Sequence, residues 1–141
     1  MNTPVDLGKR LSVKLVISFR MVLVAVDDLL FSSKIRTVAK QAGVDITFAR
    51  TPTDILERAR SDRPSLIIFD LNCGKTDPVA TIATLKGDPG LATIPTLAFA
   101  SHVHTDLISA ARNAGAEQVL ARSAFAGNLA DILLSTRNPS S

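Results

Sequence analysis

Five short apolar runs alternate with five segments of helical period, and this alternation constrains the fold more than any other feature of the sequence. The runs are MVLVAV (21–26), VDITFA (44–49), SLIIF (65–69), IPTLAF (94–99) and EQVLA (117–121). They are short, often β-branched and apolar at consecutive positions, as strands buried on both faces require. Between the first two, Phe31, Ile35, Val38 and Ala42 recur on one helical stripe that Gly43 stops. Thr51-Pro52 has the form of an N-cap followed by proline in the first turn, and Pro64 closes the link that follows. A third helix is expected over about 78–86, broken by Gly87-Asp88-Pro89-Gly90. Leu107, Ile108 and Ala111 form a fourth stripe up to Gly115, and Leu129, Ile132 and Leu133 a fifth before Asn138-Pro139. Strict β–α alternation predicts an α/β sandwich of three layers, with a parallel sheet, right-handed crossovers and helices on both faces.

A chain of 141 residues is one domain long and buries a real core. With Trp and Tyr absent and Phe the only aromatic, that core is expected to be aliphatic, drawn from Val, Ile, Leu and Ala. The single cysteine, Cys73, excludes an intrachain disulfide and points to a reducing, cytoplasmic setting; no motif around it suggests catalysis. The net charge of +3 is confined to residues 1–20, where Lys9, Arg10, Lys14 and Arg20 face Asp6 alone. Residues 21–141 are neutral, so direct binding to nucleic acid is not expected. Arg20 and the Asp27-Asp28 pair interrupt the N-terminal apolar stretch too early for a membrane span, and no small-residue cleavage site follows. The chain divides into an N-terminal extension (1–20) expected to lie outside the domain, a folded body (21–137) and a polar tail (138–141). With the sequence ending just after the fifth helix, an appended output domain is not expected.

Ligands of open α/β sheets bind beyond the carboxyl ends of the strands, where strand order reverses. Asp27 and Asp28 close the first run and Asp70 closes the third. If those strands are neighbours, three carboxylates share one edge. Two unit charges about 4 Å apart repel by roughly 4 kcal/mol at an effective dielectric near 20. The edge is therefore expected to bind a hard divalent cation, most plausibly Mg²⁺ held by oxygen ligands and water. Each residue also has a plain structural role open to it: Asp28 as the N-cap of the first helix, Asp70 as a solvated strand end. His102 and His104 form an H-x-H pair with zinc-ligand chemistry, although two loop histidines at a pocket rim explain the pair better. No glycine-rich loop follows the first strand, so nucleotide or flavin binding is not expected.

From Met21 to about Thr136 the sequence resembles the receiver domains of bacterial two-component response regulators. The segments that carry the resemblance are VDD (26–28), ERARSDRPSLIIFDLN (57–72), LKGDPGLATIP (85–95) and AARNAGAEQVLAR (110–122). It implies a flavodoxin-like sheet of order 2-1-3-4-5. It also implies that Asp70 accepts a phosphoryl group from a histidine kinase or phosphotransfer protein. Asp27 and Asp28 fall on the acidic pair that holds Mg²⁺, with the Asn72 backbone carbonyl as a third protein ligand. A downstream protein would be met by the face formed by the fourth helix, fifth strand and fifth helix. The resemblance implies a cytoplasmic single-domain signalling protein rather than an enzyme.

The sequence also departs from the family's pattern. Ala100 stands where receivers carry the Thr or Ser hydroxyl that binds the phosphoryl group. Ser101 is one residue on and points to the opposite face of the strand. Arg122 replaces the usual lysine, and a planar fork is not equivalent to a point-charge ammonium. Ser123 replaces the proline that follows that lysine, and Val119 stands at the switch-aromatic position. Two classes of function remain: an atypical phosphorelay receiver, and a pseudo-receiver that docks to its partner independently of phosphorylation.

A chain starting at Met21 is expected to match the full chain in circular dichroism and melting temperature. A loss of several degrees would show that LSVKLVISF packs on the domain.

Overall fold

The computed structural model describes residues 21–101 and 104–136; residues 1–20, His102 and the polar tail lie outside this range. The chain runs β1 (Met21–Ala25), α1 (Leu29–Ala42), β2 (Asp45–Phe48), α2 (Pro52–Asp62), β3 (Leu66–Asp70), a 3-10 turn (Gly74–Thr76), α3 (Pro78–Gly87), β4 (Thr96–Ala100), α4 (Thr105–Ala114), β5 (Gln118–Ala121), α5 (Arg122–Gly127) and α6 (Leu129–Ser135). All pairings are parallel and the order is β2-β1-β3-β4-β5, as expected.

The three inner strands are buried along their whole length, which explains their unbroken apolar sequences. Alternate residues feed two cores. Leu23, Ile67, Phe69, Ala98 and Ala100 face α2, α3 and α4 through Ile55, Ile82, Leu85 and Ala111. Val22, Val24, Ile68, Leu97 and Phe99 face α1, α5 and α6 through Phe31, Ile35, Phe125, Leu129 and Leu133. The outer strands β2 and β5 differ from the expectation of full burial: Asp45 and Gln118 are exposed and their neighbours half-buried, because each strand pairs on one side only.

Local signals set the helix ends. Asp28 caps α1 by accepting the Phe31 N–H, and Gly43 ends it at φ 72°. Thr51 caps α2 ahead of Pro52. The same helix closes on Arg63 at φ 48°, a left-handed position without glycine that the sequence does not announce. The expected fifth helix is two helices. α5 starts at Arg122, directly on the end of β5, so that Phe125 points into the core; Asn128 then separates it from α6.

At the edge of the sheet opposite the acidic residues, Lys86 ties α3 to the start of β5. Its Nζ donates to the Ala92 and Ile94 carbonyls and to Glu117 Oε2 at 2.7 Å. Glu117 Oε1 accepts from the Thr96 N–H and hydroxyl. Partial burial of Glu117 works to raise its pKa, but the Lys86 and Thr96 hydrogen bonds prevail and hold it below the usual range. A carboxylate with a depressed folded pKa stabilises the fold above its unfolded pKa and loses that contribution as pH falls through the folded value. Glu117→Gln should therefore lower the melting temperature by about 4 °C at pH 7, as expected for the loss of about 1 kcal/mol from a half-exposed network. The deficit should close on acidification; a deficit constant with pH would disprove the assignment.

Candidate functional site

The β1–β3 register aligns Val24 with Ile68 and Ala25 with Phe69. The chain leaving β1 therefore delivers Asp27 and Asp28 to the same edge as Asp70, the last residue of β3. Together with Asn72, Cys73, Lys75 and Arg122 they line an open hollow of about 390 Å³.

Asp70 is not a solvated strand end. It is only 4% exposed, and its Oδ1 accepts the backbone N–H of Asn72 at 2.9 Å. Burial pushes its pKa above the usual carboxylate value, and the negative charge of Asp28 adds to the rise; the Asn72 N–H and the Arg122 guanidinium oppose it. Asp28 fills both roles open to it. Oδ1 accepts the Phe31 N–H at 2.9 Å as helix cap, while Oδ2 accepts from Arg122 Nη2 at 3.2 Å. The cap bond is the main cause of its lowered pKa, with the Arg122 charge adding to it against partial desolvation. Asp27 turns to Arg50 Nε at 3.3 Å and Lys75 Nζ at 3.1 Å.

Three cations of the chain thus compensate the acidic edge, so the folded state does not require a divalent ion to tolerate it. Among the described residues, no three His, Cys, Asp or Glu side chains are grouped to hold a metal. The donors themselves suit a hard cation, since carboxylates and a backbone carbonyl are oxygen ligands. Of the H-x-H pair, His104 is engaged elsewhere: its Nδ1 accepts from Asn72 Nδ2 at 3.1 Å, while Asn72 Oδ1 accepts the Ser101 N–H.

Ala100 is fully buried on the α2–α4 side of the sheet, and Val119 packs against the same core. Ser101 lies on the other side, lining a second hollow with Phe31, Arg122 and Ser123, so it does not stand in for the missing hydroxyl. Lys75, Arg50 and the rings around Arg122 escape sequence reasoning. The one signal available for them was a lysine five residues beyond the β3 aspartate.

The family model for the response regulator receiver domain matches residues 22–133, and the chain belongs to that family. No functionally curated protein matches it. Among solved structures it is similar to the signal receiver domain of a signal transduction histidine kinase from Syntrophus aciditrophicus, at 20% identity and TM-score 0.74, covering 86% of this chain and 92% of that one. It is also similar to the phosphorylated cyanobacterial phytochrome response regulator RcpA, at 21% identity and TM-score 0.69, with coverage of 84% and 91%. The Mn²⁺-bound form of response regulator Rcp1 matches at 20% identity and TM-score 0.68, with coverage of 84% and 92%. At such identities the likeness establishes the fold. Among the described residues no helix is long and apolar enough to cross a membrane.

The raised pKa of Asp70 has a consequence for stability. A carboxylate whose folded pKa lies above its unfolded value costs stability once pH exceeds the folded value. Asp70→Asn keeps the acceptor for the Asn72 N–H and removes the charge. It should raise the melting temperature by a few degrees at pH 7, and the gain should shrink as pH falls through the raised folded pKa of Asp70. No gain at neutral pH would contradict the burial argument.

Proposed function

We propose that the chain is the receiver of a cytoplasmic phosphorelay, in which Asp70 takes a phosphoryl group from a phosphohistidine on a kinase or phosphotransfer protein. The supporting observation is the setting of Asp70: a buried carboxylate at the carboxyl end of the central strand, with its surroundings opening into a hollow that also holds Arg122 and Lys75. In the proposed step an Asp70 oxygen attacks phosphorus, an O–P bond forms, and the N–P bond of the donor breaks to release histidine. Arg122 and Lys75 line the hollow, and their charge would offset that of the transferred group. Asp28, Asp70 and the Asn72 carbonyl would hold Mg²⁺, with Asp27 acting through water, and the bound ion would neutralise charge on the phosphoryl oxygens. Leu29 and Leu30, 76% and 86% exposed at the rim beside Asp28, suit apolar contact with the phosphodonor.

A second reading is favoured by Ala100 and Val119. A phosphoryl group shifts the protein between two states only through differential interactions, and neither side chain supplies one on the α4–β5 side. The proposed receiver would therefore transmit phosphorylation weakly through the α4 and β5 part of the α4, β5, α5 face. If the acceptor is also inert, the domain is a pseudo-receiver that binds its partner unconditionally.

Beryllofluoride with Mg²⁺ separates the two. A bound fluorine resonance that disappears in Asp70→Asn supports the acceptor role, and its absence supports the pseudo-receiver. In the bound state, amide shifts should cluster around the hollow and leave α4 and β5 nearly unmoved. Ala100→Ser, which adds a single atom at a fully buried position, should extend them to α4. Shifts spread over α4 and β5 in the wild type would refute weak transmission.

A further inference from the structure

Arg122 is gripped from two sides. Its Nη2 donates to Asp28 Oδ2 at 3.2 Å, and its Cζ lies 4.6 Å from the centre of the Phe31 ring and 5.8 Å from that of Phe99. The rings cannot yield easily. Phe99 stacks on Phe125 at 4.4 Å and 8°, Phe31 meets Phe99 nearly edge-on at 5.2 Å and 63°, and all three are buried. They form a rigid aromatic shelf with the Arg122 guanidinium within cation–π distance of two of its rings. On its other side, Asp28 has both carboxylate oxygens committed, Oδ1 to the Phe31 N–H and Oδ2 to Arg122.

We infer that Arg122 competes with a divalent cation for Asp28, and that the Phe31–Phe99 shelf sets how firmly Arg122 holds its place. The inference rests on reading Asp28 as a metal ligand. With Oδ1 engaged in the helix cap, a cation that approaches Asp28 through Oδ2 meets the Arg122 guanidinium already bound there, and the two charges compete for that oxygen. The displaced guanidinium leaves the shelf with its charge unpaired, beside a hollow in which Asp70 is the acceptor. Metal binding and phosphoryl binding are then coupled through one side chain, each favouring the arrangement that the other needs.

The experiment measures the dissociation constant of Mn²⁺ by water-proton relaxation, with Mg²⁺ as competitor, alongside metal-free melting temperatures that report folding. Arg122→Gln removes the bond and the charge, and should tighten Mn²⁺ binding about tenfold. Phe31→Leu keeps both charges and the cap N–H and removes only the ring face; it should tighten binding about threefold. Simple charge repulsion would leave Phe31→Leu at the wild-type value, so that result overturns the inference. An Arg122→Gln affinity no tighter than wild type also overturns it, and in either case the metal site stands. If Phe31→Leu melts too low, Arg122→Lys repeats the test at a half-exposed position, keeping the charge and weakening the contact with the rings; tightening supports the inference and no change overturns it. Absence of Mn²⁺ binding in every protein at millimolar concentration overturns the metal reading of Asp28 and the inference with it.

Discussion

The pairing of β1 with β3 is the contact on which the rest of the structure depends. Both strands are buried on both faces, so their register is held by two cores at once, and a slip by one residue would send each strand's side chains into the wrong core. That register brings the residues after β1 to the end of β3 and so creates the acidic edge. The electrostatic cost follows directly from the hydrophobic pattern. Asp70 bears it most, being the carboxylate that the sheet buries, and its raised pKa reflects this cost. Asp27 and Asp28 sit further out and acquire cations: Arg50 from the end of β2, Lys75 from the turn after β3, Arg122 from the end of β5. The segments that follow β2, β3 and β5 thus contribute to its neutralisation.

The sequence made the fold legible because each level of information agreed. Apolar runs of strand length, stripes of helical period, the Thr51-Pro52 start and the Gly43 and Gly115 stops all carry local physical meaning, and all appear where the chain places them. The acidic edge was legible for a related reason: strand ends in a parallel sheet share an edge by topology, whatever the side-chain detail. What could not be read depends on tertiary distance. Arg122 meets Asp28 across 94 positions of sequence, and Phe31, Phe99 and Phe125 come together from one strand and two helices with no periodicity to link them. The α5–α6 division was hidden because a helical stripe locates a helix but does not say where it begins. The left-handed Arg63 was equally silent, since no residue-type signal marks it.

Repulsion between carboxylates is a sound reason to expect a counter-charge and a poor guide to its source. The same three aspartates are compatible with a bound ion, with arginine and lysine, or with a change of protonation. The fold uses the second for Asp27 and Asp28, and for Asp70 it shifts the balance towards the third. Sequence distance conceals that choice, because the compensating cations belong to other strands.

The alternation of side chains along β4 separates two kinds of capability. Ala98 and Ala100 face α2, α3 and α4, where Val119 joins them in a core with no hydroxyl and no ring at the switch positions. Phe99 faces the opposite side, where it meets Phe31, Phe125 and Arg122. A polar event at Asp70 therefore has little to act on across one face of the sheet, and a charged side chain held over aromatic rings to act on across the other. Phe31 belongs to α1 and Phe125 to α5, so any displacement of Arg122 is felt first by the two helices that enclose that second core. If the domain responds to its ligand at all, packing favours a response through α1 and α5, since these are the elements in contact with the one site cation that also touches the core.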